Sequence, residues 1–187
     1  MKISIITLFP EVFDPILNTS IIKRAQKKGL VEFELINLRD FGEGKHKIVD
    51  GRPYGGGAGM LLRADILAKA VKKIKNQKII LTSASGKKYT QRAAKKLSKL
   101  KSLTIVCGHY EGVDQRFIDK YCDAEISIGD YVLTGGEIPA MAIIDSITRL
   151  IPGVLKKEAA TIYESFSENL LEYPQYTRPE SFNGIRV

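Results

Sequence analysis

The spacing of apolar side chains switches repeatedly between the runs and alternations of strands and the period of helices. Lys2–Leu8 is rich in Ile and stopped by Pro10, which predicts a buried strand. Phe13, Ile16, Leu17, Ile21 and Ala25 predict a helix from Val12 to about Lys28, closed by Gly29. Val31–Asn37 predicts a second strand, and Arg39–Gly59, rich in glycine and holding Pro53, a loop. Ile66, Leu67, Ala70, Val71 and Ile74 mark another helix. The pattern then predicts a strand at Lys78–Thr82, a turn at Ser83–Lys88, a helix at Thr90–Leu100 and a strand at Leu103–Val106. A loop at Gly108–Gly112, a short helix at Asp114–Lys120, a strand at Ala124–Ile128 and a loop at Gly129–Gly136 follow. Ile138–Leu150 reads as a long apolar helix ending before Pro152 and Gly153.

Strands alternating with helices predict an α/β fold, a parallel sheet with helices on both faces. After Gly153 the period is lost. Lys156–Phe182 carries Pro174 and Pro179 and reads as a linker or a segment that orders on a partner.

Composition narrows the class. A chain of 187 residues with 44% hydrophobic and 27% charged residues suits one globular domain, or one domain and a tail. The net charge of +8 favours an anionic partner, nucleic acid first. Twelve of the basic residues lie between Lys69 and Lys101 with no acidic residue among them. That run reads equally as a solvated helix face or as a surface for phosphates. Two cysteines, Cys107 and Cys122, and two histidines, His46 and His109, have no metal-site spacing and suit a reducing cytoplasm. No apolar stretch is long enough to span a bilayer, and the N-terminal run is too short for a signal-peptide core.

Ligands of open parallel sheets bind outside the carboxyl ends of the strands. The turn after the first strand, Phe9–Glu11, has no glycine, and the chain has neither a dinucleotide fingerprint nor a P-loop. Three later turns are richer: Thr82–Gly86, Cys107–Asp114 and Ser127–Glu137. Their glycines allow close backbone approach, and Ile128, Tyr131 and Leu133 would line a pocket. The alternative is three tight turns with no ligand. Asp50–Met60, with Arg52, Pro53 and Tyr54 among its glycines, would wrap a nucleotide or cover a site, the alternative being a mobile loop.

Four strings carry a resemblance to the bacterial tRNA (guanine-N1)-methyltransferases: Arg52–Met60 (RPYGGGAGM), Cys107–Gly112 (CGHYEG), Ile128–Met141 (IGDYVLTGGEIPAM) and Tyr173–Glu180 (YPQYTRPE). Their order and spacing match, and the resemblance runs from Lys2 to the end. It implies a SPOUT-class fold with a C-terminal trefoil knot, a homodimer with active sites at its interface, S-adenosylmethionine as cofactor and tRNA as partner. The implied product is N1-methylguanosine immediately 3′ of the anticodon, which supports reading-frame maintenance. The implied cofactor site is Ser83, Ala84, Gly108, Tyr110, Glu111, Gly112, Ile128, Gly129, Tyr131, Leu133, Gly135, Gly136 and Pro139. The implied general base is Glu164 and the implied cation Arg149.

These roles match the chemistry. Guanine N1 bears a proton at neutral pH, so a base must remove it as the methyl arrives, and charge developing on O6 calls for a cation or donor. Glu164 stands where the family pattern has aspartate, Gly51 where it often has a second acid and Ala84 where it often has proline. Magnesium is an open alternative, with Glu111, Asp130 and Glu137 available to it, although no ligand spacing demands a metal. The resemblance divides the chain into a methyltransferase domain at 1–155 and a linker or tail at 156–187, without the family's helical tRNA-gripping domain. Competing readings are a related enzyme acting on another base or a ribose, a non-catalytic RNA-binding module, and a nucleotide-binding regulator.

Overall fold

The computed structural model describes residues 1–74, 78–156, 164–166 and 170–187, in two compact units, 1–155 and 156–187. The first unit is built on five parallel strands: β1 (Lys2–Thr7), β2 (Glu32–Asn37), β5 (Lys78–Lys88), β6 (Ser102–Cys107) and β7 (Ala124–Ser127). They lie in the order β2-β1-β6-β5-β7. Two short strands, β3 (Asp50–Gly51) and β4 (Leu61–Leu62), pair antiparallel at the ends of the glycine-rich loop.

The apolar runs on the central strands follow from burial on both faces. Ile3, Ile5, Leu103, Ile105 and Ile80 point into one core with Phe13. Ile6, Val106 and Leu81 point into the other with Phe117. The first core is covered by α1 (Asp14–Leu17), α2 (Ser20–Lys27), α4 (Gln91–Leu97) and α6 (Glu137–Thr148). The second is covered by α3 (Ala64–Lys72) and α5 (Gln115–Tyr121). Phe13 and Phe117 are fully buried, and cutting either to Ala would cost about 3–5 kcal/mol. Thr90 and Asp114 cap α4 and α5 with their side chains, which fixes where those helices start. Among the described residues no helix is long and apolar enough to cross a membrane.

Three expectations change. The helix expected over Val12–Lys28 is broken into a 3-10 turn (Pro10–Phe13), α1 and α2. The break follows from local competition: Asn18 donates its side-chain amide to Asp14 O (3.0 Å), Thr19 donates its hydroxyl to Pro15 O, and Ser20 takes a positive φ of 48°. The turn expected at Ser83–Lys88 belongs to β5, which slips register against β7 after Thr82 and pairs again at Lys87 and Lys88. Gly86 permits the slip, since a Cβ there would lie 2.5 Å from Ile126 N. In the second unit the segment read as linker contains a hairpin of β8 (Ser181–Phe182) and β9 (Ile185–Arg186), with Asn183 and Gly184 at positive φ in its turn.

Candidate functional site

The bend in β5 at Thr82–Gly86, the first of three turns, meets the turns after β6 and β7 at the carboxyl edge of the sheet. The second turn is held by its backbone. Gly112 N–H donates to His109 O (3.1 Å), and Tyr110 sits at a φ of 59°, uncommon for a residue with a side chain. The end of the glycine-rich loop docks on this turn: Glu111 N–H donates to Met60 O (3.0 Å) and Leu62 N–H to Gly112 O (2.9 Å). Gly59 has to be glycine here, because its φ is 88° and a Cβ would strike the Glu111 side chain.

The third turn passes against the other two. Gly135 bridges His109, and Gly136 N–H donates to Gly108 O at 2.7 Å. Thr82 Oγ1 lies 3.2 Å from both Val106 O and Gly136 O and can donate to either. A Cβ on Gly136 would fall on Thr82 Oγ1 and within 2.6 Å of Gly108 N, so no other residue fits between these turns. The chain then enters α6 through Glu137, a buried carboxylate at the positive end of the helix dipole. Thr7 Oγ1 donates to it at 2.8 Å and itself accepts Phe9 N–H at 3.0 Å. Burial, and after it the Glu137 charge, pushes the Cys107 thiol well above its ordinary pKa, so the thiol stays neutral.

Between the three turns lies a cavity of about 520 Å³, within the range of small-molecule sites. Ser83, Ala84, Gly108, Tyr110, Glu111, Gly112, Ile128, Gly129, Tyr131, Leu133, Gly135, Gly136 and Pro139 all line it. So do residues that sequence reasoning did not select. Thr82, His109 and Val113 stood beside chosen residues, so the turn itself was their signal. Leu61 comes from β4, far along the chain, and nothing in its sequence context marks it. A second cleft, of about 670 Å³, shares Leu61 with the cavity and is bordered by Arg52, Tyr54, Arg116 and Lys120. The cavity rim is apolar and open, with Val132 87% and Tyr131 56% exposed.

Arg149 does not line this cavity, and Glu164 belongs to the second unit. Arg149 caps the far end of α6, where its N–H donates to Asp145 O at 3.2 Å. The cavity reaches only Gly136 and Pro139 at the near end. Twelve helical residues at about 1.5 Å each put Arg149 about 18 Å from Glu137 along the axis. Glu164 is half-buried in the second unit. Asp130 pairs with Lys88 (3.1 Å), Glu137 with Thr7, and Glu111 packs under Gly59. Among the described residues no three metal-capable side chains gather.

A family profile described as tRNA (Guanine-1)-methyltransferase TrmD matches residues 1–187. The tRNA (guanine-N(1)-)-methyltransferase of Anoxybacillus flavithermus is 50% identical over 192 aligned positions, covering all of this chain and 78% of that protein. The protein of the same name from Bacillus subtilis is 48% identical, with 100% and 79% covered. The crystal structure of tRNA (m1G37) methyltransferase from Aquifex aeolicus superposes with a TM-score of 0.82 at 37% identity, covering 100% of this chain and 80% of that one. The profile match over the whole chain, with relatives about half identical along its full length, shows that this chain belongs to the tRNA (guanine-1)-methyltransferase family.

Proposed function

We propose that this chain transfers a methyl group from S-adenosylmethionine to N1 of the guanosine immediately 3′ of the anticodon of tRNA, position 37 in the name of its structural relative. The observation that carries the reading is the cavity between the bend in β5 and the turns after β6 and β7. Its volume, glycine-rich wall and apolar residues suit an adenosyl group read by backbone atoms. The bound cofactor supplies an electrophilic sulfonium methyl. The chain's own residues hold the guanine in line, take its N1 proton and meet the charge that develops on O6.

Glu164 is the proposed base and Arg149 the proposed cation. Glutamate keeps the charge of the family's aspartate and adds one methylene of reach. Arg149, about 15 Å along α6 from the cavity of its own chain, reaches a methyl-transfer site only if a second copy supplies the cavity. The open apolar rim, with Val132 and Tyr131 87% and 56% exposed, supports a homodimer as the working form. The close passage of Gly135 and Gly136 between the turns at Thr82 and Cys107–Gly108 supports the trefoil knot. Residues 156–187 act in this reading as the segment that brings Glu164 to the substrate, in the cytoplasm where tRNA is modified.

Mixing two inactive variants tests the arrangement. Chains carrying Arg149→Ala and chains carrying a cavity-blocking Gly136→Val should each fail to methylate tRNA, and co-refolding them should restore activity in the mixed dimers. No restoration, with the mixed dimer demonstrated, would refute a site shared between copies. Loss of saturable S-adenosylmethionine binding in the folded parent chain would refute the enzyme reading altogether.

A further inference from the structure

The basic run Lys69–Lys101 is not used by the cavity, and the fold sorts it. Lys87, Lys88 and Arg92 lie around the end of β5 and the start of α4, and Lys88 pairs with Asp130. Lys69 pairs with Glu43. Most of the others converge on the opposite, amino edge of the sheet. α3 ends at Lys72 and leads into β5, which starts at Lys78; α4 leads through Lys96 and Lys99 into Lys101 and the start of β6. The two helices cover opposite faces of the sheet, so the lysines arrive at this edge from both sides. Lys2 N–H donates to Lys101 O at 2.9 Å, and Lys78 sits opposite Leu103 in the ladder, which sets β1, β6 and β5 side by side there.

Lys72, Lys78, Lys96, Lys99 and Lys101 are exposed, and among the described residues none is within ion-pair distance of a carboxylate. The acids at this edge are few: Glu34 pairs with Lys2, Asp123 accepts Ile79 N–H at 2.7 Å, and Glu32 begins β2. Favourable placement at helix C-termini accounts for Lys72 and Lys96. It does not account for Lys78 and Lys101, which lie at strand starts and add to the same field.

We propose that this amino edge is a second RNA-binding surface, which takes the phosphate backbone of the substrate tRNA at a distance from the methylated base. Strands of six residues at about 3.3 Å each separate this edge from the cavity by about 20 Å. A base held at the cavity therefore leaves the edge to phosphates outside the anticodon loop. The proposal rests on the reading of this chain as a tRNA enzyme.

The test compares the parent chain with the triple variant Lys96→Gln, Lys99→Gln, Lys101→Gln and with the matching Lys→Arg triple. Binding of full-length tRNA and of an isolated anticodon stem-loop is measured between about 50 and 200 mM salt. The Gln triple should bind full-length tRNA about tenfold or more weakly at low salt, with a log–log salt slope shallower by about three. Its affinities for the stem-loop and for S-adenosylmethionine should match the parent's, and the Arg triple should behave as the parent. Unchanged affinity and slope for full-length tRNA would overturn the proposal, as would equal losses for the stem-loop. So would loss confined to anionic phospholipid vesicles, which would mark a membrane surface instead. Methylation by the parent chain is scored separately. A parent that binds tRNA through this edge but methylates nothing would sink the enzyme reading and leave the surface standing.

Discussion

Gly136 is where a single methyl group should uncouple the cofactor site from the rest of the fold. Its φ is −83°, so alanine there carries no backbone penalty and any effect is steric. The added Cβ would lie 2.6 Å from Gly108 N and 2.9 Å from Cys107 Cα, where ordinary contact starts at 3.4 Å. With the Thr82 hydroxyl, on which the new Cβ would fall, turned aside, the third turn would still have to retreat by about 0.8 Å from Gly108 N, stretching the 2.7 Å Gly136–Gly108 hydrogen bond to the limit of a useful one. Overpacking of this kind costs about 1–3 kcal/mol, and weakening a buried backbone bond adds about 1 kcal/mol. If half of that falls on the bound state, S-adenosylmethionine affinity drops about tenfold. Titration calorimetry reads the affinity and urea unfolding the stability. Gly44→Ala is the control: its φ of 70° strains alanine, but nothing lies within 4 Å of the new Cβ and the cavity is not lined by it. It should lose about 1–2 kcal/mol of stability with cofactor binding intact. A folded Gly136→Ala chain with the parent's affinity would refute the claim that close packing of the three turns builds the site.

Other outcomes follow from the same structure. Thr7→Val should destabilise the fold by about 1–3 kcal/mol in urea, because Glu137 Oε1 and Phe9 N–H lose their buried partner; a change near zero would show that water replaces the hydroxyl. Glu164→Gln should lower the single-turnover methylation rate by about 10²–10⁴ with cofactor affinity unchanged, and parent-like rates would dismiss Glu164 as the base. Burial raises Cys122 from 9.0 to about 12 and also holds Cys107 up. Raised folded-state values favour the native chain below pH 9.0, and that stability is lost as pH climbs from 9.0 towards about 12, because the unfolded thiols ionise first. Urea midpoints across that range should fall, more than in a Cys122→Ala chain, and native thiols should react slowly with a thiol reagent at pH 8.

Periodicity determined much of the architecture. Apolar runs at Lys2–Thr7 and Ser102–Cys107 are legible because strands buried on both faces need no polar alternation. The turns that line the cavity were legible too, because backbone approach needs glycine, and glycine is visible without coordinates. What the spacing could not convey is what each glycine approaches. Gly136 meets Thr82 and Gly108, and Gly86 meets Ile126, and those neighbours are chosen by the crossing of chain segments distant in sequence. For the same reason Ser83–Lys88 read as a turn, although its second pairing with β7 makes it strand. Leu61 reached the cavity without any local signal, and the basic run became two surfaces rather than one. Local pattern reports how a segment folds on itself; only packing decides which segments touch, since that energy belongs to pairs of residues and not to either alone.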